Sequence, residues 1–154
     1  MEYRGYDSAG VALNQENEVF RLRSLGKVSS LEQLIISNKP EAKSGIAHTR
    51  WATHGAPSEE NAHPHGSHDE IYIVHNGIIE NHDEIRNKLK DQGYDITSET
   101  DSELIAHLIY ANKTESLTTL EALVKATKEL KGAFSIAAIS SKEKGKIYAA
   151  KQKS

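Results

Sequence analysis

The chain has 154 residues, 37% hydrophobic and 27% charged, with a formal net charge of −3; that is enough length for one domain with a buried core, in an ordinary globular composition. This balance gives no electrostatic reason to expect nucleic acid or an anionic membrane as partner, the apolar runs fall far short of the roughly 20 residues of a membrane span, and the opening Met1-Glu2-Tyr3-Arg4-Gly5 lacks the apolar stretch of a signal peptide. Cysteine is absent, which excludes disulfides, thiolate metal sites and any cysteine nucleophile within these residues, and fits a cytoplasmic setting.

Ala9 to Leu13 is a short apolar strand, and Glu18 to Arg23 alternates Val19, Arg21, Arg23 against Phe20, Leu22 as a half-buried strand, with a hairpin turn at Asn14-Gln15-Glu16-Asn17. Ser30 to Ser37 reads as a short helix stopped by Asn38-Lys39-Pro40, and Gly45 to Thr49 and Glu70 to His75 as two further strands. Between those two strands, the stretch from His54 to His68 holds Pro57 and Pro64 with His, Asn and Ser, and reads as a long ordered loop. Asn81 stands where it would cap a helix running to about Gln92, with Gly93 at the stop. Thr100-Asp101-Ser102-Glu103 is a capping-box pattern ahead of Leu104, Ile105, Leu108 and Ile109. Thr118-Thr119-Leu120-Glu121 is a second such pattern, opening a helix to about Lys131. Ala133 to Ile139 and Lys146 to Ala150 close the chain as a hairpin. Strands, helices, then strands is not regular βαβ alternation, so the order predicts an antiparallel α+β layer structure.

Three segments carry chemistry. His48-Thr49-Arg50-Trp51-Ala52-Thr53-His54-Gly55 is either a strand end with a buried Trp and a surface Arg, or a site where the Arg50 fork takes a carboxylate under the cover of Trp51. His75-Asn76-Gly77 is either an Asn-Gly turn after a strand, or an oxyanion hole in which the Asn amide and the next backbone N–H act as paired donors. Ser98 to Glu103 is a helix N-terminus whose acidic residues complement the dipole; Asp101 there could also bind an ammonium group. Arg50, Asp101 and Asn76 with Gly77 together match the polar groups of an amino-acid amide. His63-Pro64-His65 with His68 lacks metal-ligand spacing, so no metal is expected. His107, one position off its helix's apolar stripe, reads as structural.

Tyr3-Arg4-Gly5-Tyr6-Asp7-Ser8-Ala9-Gly10, His48 to Gly55, Asn61-Ala62-His63-Pro64-His65, His75 to Asn81 and Glu99-Thr100-Asp101 resemble, in the same order, segments of the class II (N-terminal-nucleophile) glutamine amidotransferases of the glucosamine-6-phosphate synthase type. The resemblance spans essentially the whole chain. It implies an N-terminal-nucleophile hydrolase fold, a four-layer sandwich of two antiparallel sheets between helices, and the hydrolysis of L-glutamine to supply ammonia for converting fructose 6-phosphate to glucosamine 6-phosphate. It implies that Arg50 binds the glutamine α-carboxylate and Asp101 its α-amino group, that Asn76 and Gly77 form the oxyanion hole, that Trp51, Thr53, His54 and Gly55 line a loop closing on glutamine, and that His63 and Arg4 support the site. No cofactor is implied, and a homo-oligomer is expected. The family's nucleophile is an N-terminal cysteine acting with its own α-amine, and no cysteine occurs here. Residues 1–154 are therefore expected to be part of a glutaminase domain, cut at both ends, with the sugar-phosphate isomerase domains absent and no activity of its own. The alternatives are a glutamine-binding regulatory module, or a sibling amidotransferase with another acceptor.

Overall fold

A computed structural model describes residues 6–16, 18–52 and 55–153. Its elements run β1 (Ser8–Asn14), β2 (Val19–Leu25), α1 (Val28–Asn38), β3 (Ser44–Arg50), β4 (His65–Ser67), β5 (Ile71–Ile79), α2 (His82–Asp91), α3 (Asp101–Asn112), α4 (Thr119–Glu129), β6 (Gly132–Ser140) and β7 (Tyr148–Gln152). Two antiparallel sheets result, in the strand orders β2-β1-β3 and β4-β5-β6-β7.

Alternation along the strands stacks these sheets. In β1, Ala9, Val11 and Leu13 pack under α1 against Leu31, Val28 and Ile35. The intervening Ala12 turns to the other sheet and, with Val19 and Ile46 of its own sheet, packs against Tyr72 and Ile139. On the far face, Ile71, Ile73 and Ile79 of β5 with Phe134, Ile136 and Ala138 of β6 pack against α2, α3 and α4. The layers are thus helix, sheet, sheet, helices, as expected for the four-layer α+β sandwich.

α3 is buried on every side from Ser102 to Ile109 rather than along one stripe, because it lies between β4 and β5 on one side and α2 and α4 on the other. His107 is accordingly buried, with Nδ1 2.9 Å from Ser67 Oγ. α4 has the full capping box of Thr118 and Glu121. α3 has only half of one: Thr100 accepts from the Glu103 N–H, while the Glu103 carboxylate accepts from Thr97 and Ser98 instead.

Other expectations need correction. Asn81 precedes α2 but does not cap it; its amide donates to the Glu129 carbonyl at 2.9 Å and accepts from the Lys131 N–H at 2.9 Å, tying α2 to the α4–β6 connection. The loop before β5 contains the short strand β4. Asn76-Gly77 is no turn: β5 runs straight through it to Ile79, paired with β6 along its length. Among the described residues, no helix is long and apolar enough to cross a membrane.

Candidate active site

A cleft of about 850 Å³ opens between β3 and β5, and Arg50, Trp51, His63, Asn76, Gly77 and Asp101 all line it. Gly55 adjoins them, since its carbonyl accepts a hydrogen bond from Arg50 Nη2 at 3.2 Å. Of the sequence-predicted site residues, only Arg4, Thr53 and His54 lie outside the described residues.

Strand register decides what Arg50 does. In β3, Ile46 faces the other sheet, so two-residue alternation carries His48 and Arg50 inward with it. Arg50 is 5% exposed and Trp51, just past the strand, is 62% exposed. The strand-end reading with a buried Trp and a surface Arg is therefore inverted. Asp7 compensates the buried guanidinium, with Oδ1 3.2 Å from Arg50 Nη1, and also accepts from the Ala52 N–H. This places a guanidinium at the cleft wall, already oriented by its neighbours.

The opposite wall is β5 and the start of α3. Gly77 has a φ of +136°, and a Cβ there would stand 2.2 Å from the Ala133 carbonyl oxygen and 2.7 Å from Phe134 Cα. Only glycine lets β5 pass β6 this closely while Asn76 and Gly77 stay exposed at the cleft. Asp101, on the first residue of α3, accepts the Ile79 N–H at 2.9 Å and lies 3.8 Å from His75 Nδ1. Ser102 Oγ is 2.8 Å from the same nitrogen. The carboxylate is thereby fixed to the strand that carries Asn76 and Gly77.

The floor is a cluster of imidazoles. The His48 and His63 rings are 4.2 Å apart and the His63 and His65 rings 4.8 Å apart. Burial lowers the His48 pKa to about 4, reinforced by His75 and Arg50, and lowers His65 to about 3. Burial, then His65 and His48, holds His63 well below the usual imidazole value, and burial also lowers His75 against the pull of Asp101. These rings are neutral at pH 7. Among the described residues, neither His63 nitrogen has a hydrogen-bond partner. Among the described residues, no three His, Asp or Glu side chains are grouped to hold a metal ion.

Asp7, His48, His75 and Ser102 were not marked as site residues by the sequence. Asp7 reaches Arg50 across 43 positions through the pairing of β1 with β3, which no local pattern announces. His48 alone was open to inference, because it shares the inward face of Ile46.

A protein-family model described as a glutamine amidotransferase domain matches residues 48–154. Glutamine–fructose-6-phosphate aminotransferase (isomerizing) of Pseudomonas putida is 51% identical over 152 residues, covering 98% of this chain and 25% of that protein. The same-named protein of Pseudomonas aeruginosa is 53% identical over 153 residues, covering 98% and 25%. The chain thus spans about a quarter of the length of these relatives. Among solved structures, glutamine phosphoribosylpyrophosphate amidotransferase from B. subtilis superimposes with a TM-score of 0.74 at 24% identity, over 91% of this chain and 30% of that one. A glutamine aminotransferase class-II domain protein from Silicibacter pomeroyi gives a TM-score of 0.63 at 20% identity, over 92% and 68%. These likenesses bear out the N-terminal-nucleophile sandwich as the fold. With the family model covering residues 48–154, the chain belongs to the glutamine amidotransferase domain family.

Proposed function

We propose that the cleft binds L-glutamine for the glutaminase half-reaction of a glutamine–fructose-6-phosphate aminotransferase, which consumes the released ammonia in making glucosamine 6-phosphate in the cytoplasm. The observation that carries this reading is that one cleft gathers a buried guanidinium, a fixed carboxylate and an Asn-Gly pair. Arg50 pairs with the α-carboxylate, Asp101 with the α-ammonium, and Asn76 with Gly77 holds the side-chain carbonyl oxygen, where negative charge develops when the amide is attacked. Trp51 covers the ligand from the rim, and His63 supports it from the floor. The acceptor assignment draws on the names of the curated relatives. No thiol exists among the 154 residues, so on this reading residues 1–154, a partial glutaminase domain, bind glutamine without cleaving it.

Calorimetric titration tests the reading. L-Glutamine should bind, and Asp101→Asn, which keeps an acceptor for the Ile79 N–H but loses the charge, should weaken it about tenfold or more. Glutaramate, which has no α-ammonium, should bind both proteins alike. A wild-type chain that takes up no L-glutamine sinks the proposal.

A further inference from the structure

The proposed glutamine contacts use neither Asn61 nor Glu99, yet these two side chains close a ring of hydrogen bonds between the segment after Arg50 and the segment leading into α3. Asn61 Nδ2 donates to the Ala56 carbonyl at 2.9 Å and to Glu99 Oε2 at 3.1 Å. The Ala56 N–H donates to the same Oε2 at 3.1 Å, and the Glu99 N–H donates to Asn61 Oδ1 at 2.9 Å. Asn61 is 3% exposed, so a broken partner would leave a buried amide unpaired. Gly55 rests directly on this clasp. Its φ is +78°, and a Cβ there would stand 2.6 Å from Asn61 Nδ2 and 3.0 Å from Glu99 Oε2.

The linkage leads to the site at both ends. The Gly55 carbonyl accepts from Arg50 Nη2, and Glu99 precedes Asp101 by two residues in the same segment. Arg50 and Asp101 come from separate sheet and helix layers, and this path joins them by a few bonds.

We propose that Asn61 and Glu99 are positioning residues that fix the separation between Arg50 and Asp101, and so select ligands carrying a carboxylate and an ammonium on one carbon. The proposal rests on the glutamine reading above. The physical reason is that two-point binding succeeds only when both charged groups are met in a single pose; a misplacement of about 1 Å can cost roughly 10²-fold. A ligand with only one of the two groups re-seats itself and loses little.

The test titrates the chain with L-glutamine, glutaramate (no ammonium) and 4-aminobutanamide (no carboxylate), with thermal unfolding recorded alongside. Asn61→Ala and Glu99→Ala should weaken L-glutamine more than about tenfold while changing either single-ended ligand less than about twofold. Glu99→Gln, whose amide oxygen still accepts from the Ala56 N–H and from Asn61, should restore wild-type selectivity. Equal losses for all three ligands, or no loss for any, would overturn the proposal while leaving the glutamine reading standing. Should Asn61→Ala fail to fold, the comparison of Glu99→Ala with Glu99→Gln decides alone, because Glu99 is exposed. Failure of the wild-type chain to bind L-glutamine overturns the reading and this inference together.

Discussion

At the scale of single residues, close backbone approach shapes this cleft as much as side-chain chemistry does. Gly10 of β1 shows it: an added Cβ would lie 2.0 Å from the His63 carbonyl oxygen and 2.9 Å from that of Leu22. Both neighbours are backbone, so neither can swing aside, and the whole segment carrying His63 would have to lift off the sheet. Gly10→Ala is therefore expected to destabilise the fold by roughly 1–3 kcal/mol or more, as overpacking does, and to weaken glutamine binding through the displaced His63. Urea unfolding checks the first effect and calorimetry the second. An alanine variant as stable as the wild type would mean that the 63–64 segment does not press on β1. The sequence displayed Gly10 within a resembling motif but gave no sign of why it must be glycine, because the residue that crowds it is 53 positions away along the chain.

At the scale of elements, the helix starts were the most legible features, because capping is a local matter of two side chains and two backbone N–H groups. Thr118→Ala removes the Oγ1 that accepts the Glu121 N–H and one of the two donors to Glu121 Oε2, leaving only the Thr118 N–H on that carboxylate. It should cost about 1 kcal/mol, read as a lowered unfolding midpoint. Thr100→Ala should cost more, since Thr100 Oγ1 also lies 3.0 Å from Ser98 Oγ and 3.2 Å from His65 Nε2, both buried. If the two substitutions proved equal, the Thr100 contacts beyond the cap would carry no weight. Where tertiary partners compete with the local rule, the sequence misleads. Asn81 has cap chemistry but finds Glu129 and Lys131 instead. Asn76-Gly77 has turn chemistry, but β6 supplies a partner strand that holds it extended. β4 is His-Gly-Ser, with no apolar alternation, and exists because Tyr72 of β5 packs over Gly66 and the β5 backbone pairs with it. The inward face of Arg50, by contrast, follows from Ile46 by alternation alone. What no local pattern supplied was the pairing of β1 with β3, across 30 or more residues, that brings Asp7 to Arg50.

At the scale of the whole molecule, the imidazole floor between the two sheets couples folding to pH. His48, His63, His65 and His75 face one another, and the charged groups around them are Arg50, Asp7, Asp101 and Glu103, with Arg21 and Arg23 bearing on His65. Well above the unfolded value of 6.5 these rings are neutral in both folded and unfolded chains, and folding moves no protons through them. Below it the unfolded chain binds protons that the folded chain refuses, so stability falls as the pH falls. For His48 the loss continues until about pH 4 and for His65 until about pH 3, where the folded forms themselves protonate. Two carboxylates add to the same trend at lower pH. Glu143 is held at about 2 by Thr119 and Tyr148 against its burial, and Glu103 is lowered by His107, Ser98 and the Thr97 and Ser98 N–H groups against its own. Each contributes stability above its unfolded value of 4.5 that is lost as the pH drops towards its folded one. Every contribution has the same sign, so the unfolding free energy should fall steadily from pH 7 to pH 5, by up to about 1.4 kcal/mol per pH unit for each of His48 and His65. Urea titrations at half-unit steps measure this slope. His63→Gln should flatten it by removing one titrating ring. A free energy that stays level between pH 7 and pH 5 would mean that water reaches these imidazoles in the folded protein, and that the two sheets do not seal over them.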